Sequence, residues 1–235
     1  MAVLAGTYCG PAPLPAEIWL RWNLDPVLLL FLAVLAVATR RNRAGVLAVA
    51  VLAIAFVSPL CALSAALFSA RVVHHVLLVA VAAPLLALAW PGRRPILPTV
   101  PLLVSTGVLW AWHWPPAYDL ALSNMAAYWA MQATLLGSAF AFWRAVLHHG
   151  QAPGAGLLGV LGGYMQMALL GALLTFAPEA LYAIHAVAPL DWGFTPLADQ
   201  QLGGLVMWVP AGLPFVAWGV LVARRGWQTM AQGLA

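Results

Sequence analysis

Residues 70–90, ARVVHHVLLVAVAAPLLALAW, are long and apolar enough to cross a membrane as one helix, yet their first turns carry Arg71, His74 and His75. A helix needs about 20 apolar residues to cross ~30 Å of hydrocarbon. Polar side chains in such a segment are costly unless they find partners, so they mark buried packing or a functional site. The stretch therefore predicts a membrane-spanning helix with a chemically distinct end.

The composition of the whole chain agrees with this prediction. Of 235 residues, 64% are hydrophobic and only 7% are charged, with a mean hydropathy of +0.94. Such a chain cannot form an apolar core covered by a polar surface in water. The composition therefore excludes a water-soluble protein and predicts an integral membrane protein.

The apolar residues occur in seven blocks separated by short breaks that carry proline, glycine or arginine. Continuous apolar blocks near this length are typical of membrane-spanning helices. The sequence therefore predicts an all-α membrane protein, a seven-transmembrane-helix bundle that forms a single integral membrane domain over residues 1–235. We predict spans at about 24–39, 44–60, 70–90, 98–112, 124–143, 156–176 and 200–222.

The charged residues predict how this bundle is oriented. Cytoplasmic loops carry an excess of basic residues. One side of the predicted bundle holds eight arginines and no acidic residue, whereas the other side holds all six acidic residues with only Arg21 and Arg71. We therefore expect an outside N-terminus and a cytoplasmic C-terminus.

The start MAVLAGTYCG lacks the basic region of a signal peptide, so we expect it to be the outer end of the first span. The positive net charge then reports topology, and membrane lipid rather than nucleic acid is the expected contact.

Most residues with ligand chemistry fall on the predicted outer side. Imidazole combined with soft sulfur is a ligand set that suits copper. The alternative is that the histidines lie at the membrane interface and bind headgroups or carbonyls. Arg71 and His75 share one helical face, which we expect to be buried. His74 lies on the adjoining face, where it either points toward the flank or serves as a second ligand if the helix is rotated. The candidate metal ligands are His74, His75, His113, Cys61, Met207, Cys9, His185 and Asp199.

Two outer features leave further possibilities open. Cys9 and Cys61 could be metal ligands, or they could form a disulfide, which an oxidising compartment permits. The segment 178–201, PEALYAIHAVAPLDWGFTPLADQQ, is too apolar for a flexible linker. We expect it to fold over the outer end of the bundle as a lid that brings His185 near the site.

Several stretches together resemble the polytopic CtaG family of cytochrome c oxidase assembly factors. They are ALFSARVVHHVLLVAVAAPLLALAWP, WAWHWPPAYDLAL, GALLTFAPEALYAIH and WGFTPLADQQLGGLVMWVP. The resemblance implies a multi-pass protein of the bacterial inner membrane that serves the respiratory chain and handles copper. It implies oxidase subunits as partners, leaves a periplasmic copper chaperone and a homodimer open, and departs from the family pattern at Arg71 and at Met131-Gln132.

Three functions remain open at this point. The first is a copper-handling assembly factor, in which Asp199 would orient a ligating imidazole. The second is a metal-free scaffold for an oxidase subunit, and the third is a small haem-binding membrane protein with His75 and His113 as axial ligands. The sequence contains none of the motifs that mark a hydrolytic or phosphoryl-transfer site, so we expect a non-enzyme.

The topology prediction can be tested with reporter fusions. Because basic loops stay in the cytoplasm, fusions on the arginine-rich side should report a cytoplasmic location and fusions near the acidic residues an external one. Reversed reports at two or more sites would contradict the seven-span arrangement. The cytoplasmic fusions follow Arg43, Arg94, Gly150 and Arg225, and the external ones lie near Leu63, Asp119 and Asp191.

Overall fold

The computed structural model describes residues 8–233, and its regular elements are all helices. The first seven residues, for which the sequence predicts an outer location without a signal peptide, lie outside the described part. The α-helices are α1 (Pro26–Thr39), α2 (Arg43–Phe56), α3 (Pro59–Ala66), α4 (Phe68–Val76), α5 (Ala83–Ala89), α6 (Thr99–His113), α7 (Pro115–Ser123), α8 (Met125–Val146), α9 (Pro153–Thr175), α10 (Pro196–Trp208) and α11 (Gly212–Gly233). A π-helical segment (Leu77–Ala82) joins α4 to α5, and short 3₁₀ helices cover Pro15–Leu20, Ala183–His185 and Ala188–Trp192.

Prolines and small polar residues determine where these helices begin. Proline occupies the first turn of α1, α3, α7, α9 and α10, where a missing N–H costs nothing. Side chains then accept hydrogen bonds from the first backbone N–H groups. The capping residues are Asp25 for α1, Asn42 for α2, Ser58 for α3, Asn124 for α8 and Thr195 for α10.

The helices differ from the predicted spans in length and number. Among the described residues, three helices are long and apolar enough to cross a membrane: Phe68–Ala89, Pro153–Thr175 and Pro196–Gln232. A fourth is possible if α2 and α3, which bend by 47° at Ser58–Pro59, form one span. The predicted first span is the 14-residue α1, which at 1.5 Å per residue is roughly 21 Å long. The seven-span arrangement is therefore not established by helix length.

The lipid-facing character of the surface supports a membrane location. The outer faces of α1, α9 and α11 carry rows of exposed apolar side chains, such as Val34, Leu161 and Val216. In water such continuous apolar faces would drive aggregation. Within hydrocarbon they are in a solvent of matching polarity, so the bundle is consistent with a multi-pass membrane protein.

Close packing of small residues joins the long helices. A Cβ on Gly204 of α10 would lie 2.6 Å from the carbonyl oxygen of Gly171 on α9. A Cβ on the neighbouring Gly203 would lie 2.5 Å from the ring of Phe68 at the start of α4. Small residues allow backbones to approach this closely. Helix α10 is therefore wedged between α9 and α4 and positions both.

The π-helical segment interrupts the span that carries the histidine pair. A π turn changes the regular α-helical hydrogen bonding, and its carbonyl groups need other donors. The Trp143 indole N–H of α8 donates to the Val79 carbonyl at 2.7 Å, and the Trp218 indole of α11 donates to Ala80 at 2.9 Å. Two tryptophans from separate helices thus stabilise the π turn.

Contacts sort the chain into two ends. The end that carries the acidic residues is here called the carboxylate end. There, hydrogen bonds join distant segments: the Trp192 indole donates to the Pro13 carbonyl, and the Gln200 amide donates to the Glu179 carbonyl. At the opposite end, Arg225 donates to the Leu147 carbonyl and His148 bonds the Gly92 carbonyl. The two groups of loops predicted from charge are therefore separate in space.

Replacing Trp143 with phenylalanine should destabilise the bundle. The change removes the donor to the Val79 carbonyl and leaves that carbonyl buried without a partner, which costs about 1–3 kcal/mol. The measurement is the thermal unfolding midpoint of the purified protein in detergent. Trp227→Phe, at an exposed position near the end of α11, is the matched control. Equal midpoints for the two variants would contradict the role given to the indole.

Candidate functional site

The histidine pair lies in the interior of the bundle. His74 is 0% exposed and His75 is 4% exposed, and neither ring nitrogen of either residue has a hydrogen-bond partner. The His74 ring meets Phe56 of α2 edge-on, with 4.8 Å between ring centroids. The interpretation of these residues as interfacial histidines is therefore wrong, as is the placement of His74 on the flank. Both imidazoles are buried where lipid headgroups do not reach.

A third imidazole faces this pair from α6. His113 is the last residue of α6, just before the Trp114-Pro115 break. Its Nδ1 lies 2.8 Å from the Leu109 carbonyl oxygen, which can only accept, so Nδ1 carries the proton. The Nε2 lone pair is then free. A backbone carbonyl that orients a ring in this way is a common arrangement for metal-binding histidines.

The three rings form a short row. Ring centroids are 5.8 Å apart between His74 and His75 and 6.0 Å apart between His75 and His113. Two imidazoles that share one ion, each with a metal–nitrogen bond of ~2.0 Å, can have their rings at this separation. The separation of the rings is therefore compatible with a metal ion between two neighbouring rings. Among residues 8–233, however, no three His, Cys, Asp or Glu side chains converge on one point as a metal site.

Arg71 lies one helical turn before His75 and is also completely buried. None of its three guanidinium nitrogens has a hydrogen-bond acceptor. The guanidinium lies over the Tyr128 ring, 5.4 Å from the ring centroid. This cation–π contact contributes about 2 kcal/mol, whereas burying an ion costs several kcal/mol. The contact alone does not offset the burial of the charge.

Asp199 has a different role from the predicted one. Its carboxylate accepts hydrogen bonds from the backbone N–H groups of Phe68 and Ser69 at 2.6 and 3.2 Å and from the Ser69 hydroxyl at 2.5 Å. The N-terminus of α4 has no capping side chain of its own. Asp199 of α10 thus caps α4 across 131 residues of sequence, and its oxygens are occupied by these donors rather than by an imidazole.

Both ring nitrogens of His185 also have hydrogen-bond partners. Its Nδ1 donates to the Ala66 carbonyl oxygen at 3.2 Å, so Nε2 accepts from the Tyr118 hydroxyl at 2.9 Å. Burial, and to a smaller extent the charge of Arg71, lower the pKa of His185 from 6.5 to about 4. With both nitrogens engaged, His185 serves as an anchor of the segment and has no free lone pair for a metal.

The segment after α9 packs over the carboxylate end, as the lid interpretation expects. Tyr182 is buried and donates its hydroxyl proton to the His113 carbonyl at 3.0 Å. The Asp119 carboxylate of α7 accepts from the backbone N–H groups of Ala183 and Ile184 at 3.2 and 3.3 Å. We call residues 177–195 the lid. It rests directly on the end of α6 that carries the third histidine.

The two cysteines form a disulfide. Cys9 is bonded to Cys61 at the start of α3, which settles the open choice between ligands and a disulfide. In this form neither sulfur is a thiolate ligand. Next to the disulfide, Tyr8 stacks on Tyr128 and donates to the Asp25 carboxylate at 2.6 Å. That hydrogen bond lowers the pKa of Asp25, which is the N-cap of α1.

Met207 lies at a helix contact. It is buried in α10, with its Cβ against Gly171 of α9. The eight predicted ligands therefore do not form a single site. Only His74, His75 and His113 are brought together with free nitrogen atoms.

Sequence reasoning missed two buried polar residues. Arg71 was placed on the buried face but not in the site, although a charge inside an apolar span is itself a signal for one. Gln132 of α8 is 2% exposed and neither atom of its amide has a partner. It borders an apolar groove of about 380 Å³ between α1, α2 and α8. Gln132 lies one helical turn after Tyr128, so the two polar side chains share one face of α8, and this spacing indicated that Gln132 is buried against protein.

The fold and the buried polar row define the class: an all-helical membrane protein with a histidine cluster toward one end of its bundle. The chain belongs to the family of cytochrome c oxidase caa3 assembly factors (Caa3_CtaG), which it matches over residues 29–229. No curated protein and no solved structure matches the chain. The matched region contains all three clustered histidines and Asp199, whereas Cys9 and Asp25 lie before it.

The lid should open as the pH falls. In an open state His185 has its ordinary pKa of 6.5, while burial in the closed state holds the pKa near 4. The open state therefore binds more protons between these values, and closure is fully stable above pH 6.5 and weakens progressively toward pH 4. The measurement is cleavage within residues 177–195 by external protease, at matched protease activity, between pH 7.5 and about 5.

The matched control is His185→Gln, whose amide keeps a donor and an acceptor but does not titrate in this range. Asp119 also contacts the lid, so this variant separates its contribution from that of His185. Equal pH dependence of cleavage in both proteins would contradict the assignment to His185.

Proposed function

We propose that this assembly factor handles copper(I) as cargo for cytochrome c oxidase, and that His75 and His113 hold the ion. The observation that carries the proposal is that the ring centroids of these two imidazoles lie 6.0 Å apart in an edge-on arrangement, with the Nε2 lone pair of His113 free and both nitrogens of His75 unpartnered. His74, whose ring is 5.8 Å from that of His75, is a third nitrogen donor that can receive or release the ion.

The donor set favours the monovalent ion. Copper(I) is stable with two nitrogen ligands, whereas a divalent ion usually requires more ligands and often a carboxylate. Copper(I) is therefore the form of the cargo that best suits these residues.

An outward orientation of the carboxylate end supports delivery from outside the bacterial inner membrane. The arginine-rich loops favour the cytoplasm at the opposite end. The Cys9–Cys61 disulfide lies at the carboxylate end, and disulfides persist in oxidising compartments such as the periplasm. Oxidase subunits would then meet the protein on this side, where the lid covers the histidine row.

Glutamine variants of the histidines test the proposal. We expect His75→Gln and His113→Gln each to abolish copper(I) retention and oxidase maturation while membrane abundance stays near normal, because glutamine keeps hydrogen bonding but is a poor copper ligand. His74→Gln should have a milder effect. Membrane abundance, bound copper and oxidase activity are measured together, with the exposed His149→Gln as control.

Full copper binding and full oxidase activity in both variants would defeat the metal-site proposal. Retained binding to oxidase subunits without any copper would indicate a scaffold. A haem absorption band in the purified protein would instead assign His75 and His113 to haem. Bound copper, haem absorption and binding to oxidase subunits are read from the same purified samples, and membrane abundance and oxidase activity from the membranes.

A further inference from the structure

The buried charge of Arg71 is not balanced by any side chain of the protein. The chain has only six acidic side chains, and all of them lie within the described residues. The one ion pair in residues 8–233 joins Arg21 to Glu17 at the surface. Arginine stays protonated in proteins. Arg71 is therefore a fixed positive charge in the interior of the bundle.

The six carboxylates are all committed elsewhere or lie at the surface. Three of them accept hydrogen bonds from groups other than Arg71, and the other three, of which Glu17 is paired with Arg21, are exposed. The first three are Asp25 with Tyr8 and Val27, Asp119 with Ala183 and Ile184, and Asp199 with Phe68 and Ser69. The exposed three are Glu17, Glu179 and Asp191.

The surroundings of Arg71 offer donors rather than a negative charge. His74 and His75 follow it by three and four residues on the same helix, so their rings lie on adjoining faces. A neutral imidazole carries one N–H that can be donated, and both rings lack partners. Water could accept hydrogen bonds here, but water does not neutralise a buried charge.

The complete burial of Arg71 restricts what could balance it. At 0% exposure the guanidinium is beyond the reach of a lipid phosphate or of a carboxylate on a partner's surface. The compensating group must be small enough to enter between packed helices, must carry one negative charge, and must accept several hydrogen bonds. A halide ion meets all three conditions.

We propose that Arg71 binds a small monovalent anion of the size of chloride inside the bundle, beside His74 and His75. The anion accepts hydrogen bonds from the guanidinium and from the neighbouring ring N–H groups, and it removes the electrostatic cost of the buried cation. The site does not depend on copper. With the anion in place the region around His75 is electrically neutral, which removes the repulsion that Arg71 would exert on a cation there.

Direct binding of chloride to the full-length protein tests the proposal. The protein is purified in detergent, stripped of copper with a chelator, and dialysed at constant ionic strength with gluconate as the replacing anion. Equilibrium dialysis with radioactive chloride should give one bound chloride per chain, displaced by bromide. Absence of chloride binding to the wild-type protein overturns the proposal.

Variants assign the bound ion to Arg71. Arg71→Gln should weaken chloride binding by at least about tenfold, because it removes the charge that attracts the ion. Arg21→Gln, which removes a surface cation paired with Glu17, should bind chloride like the wild type. Unchanged binding in Arg71→Gln overturns the assignment.

A measurement on the wild-type protein covers the case in which Arg71→Gln does not fold. Anomalous scattering from crystals grown with bromide should place the ion next to the guanidinium of Arg71, and a position elsewhere overturns the proposal. Tyrosinate absorbance at neutral pH in chloride-saturated buffer would also overturn it, since Tyr128 would then supply the charge. Copper loading is measured on separate samples, so chloride binding without copper binding rejects only the proposed function.

Discussion

The carboxylate of Asp199 controls how the two central helices of the bundle meet. It accepts from the first backbone N–H groups of α4, whose own sequence offers no cap, and it does so from α10. Negative charge at a helix N-terminus is stabilised by the helix dipole. Because Arg71, His74 and His75 all lie within two turns of this contact, their position in the bundle follows from it. The close approach of Gly203 to Phe68 makes the same contact possible sterically.

The lid and the disulfide cover the three histidines at the carboxylate end of the bundle. Tyr182 bonds the carbonyl of His113 itself, and His185 links the end of α3 to Tyr118 of α7. The Cys9–Cys61 bond ties the N-terminal arm to the same region. The lid therefore covers the end of α6 that carries His113. The enclosure also keeps water away, which strengthens electrostatic interactions inside.

The sequence was sufficient for part of this arrangement. The apolar run with Arg71 and the histidine pair predicted the long helix Phe68–Ala89. The charge distribution predicted two chemically distinct ends, and hydrogen bonds join the loops within each end. The resemblance to the CtaG family is confirmed by the family match. The prediction limited the last span to residues 200–222, before Arg224-Arg225, whereas the helix extends over Pro196–Gln232.

Other features depend on contacts that local sequence does not encode. The role of Asp199 arises from a partner 131 residues away, and Met207 resembled a ligand only because its packing against Gly171 was unknown. The full burial of His74 depends on Phe56 of another helix. Such pairings are set by tertiary packing, so helical periodicity alone placed His74 on the wrong face.

The direction in which the histidines point relative to α5 depends on the number of residues in the π-helical segment Leu77–Ala82. A π turn holds one more residue than the α-helical turn that it replaces, and each residue of an α-helix rotates the chain by roughly 100°. Deletion of a single residue within this segment would restore regular winding and turn His75 away from His113 relative to α5. A relative that lacks one residue in this segment would therefore have its histidines in a different arrangement, even if it retains every histidine.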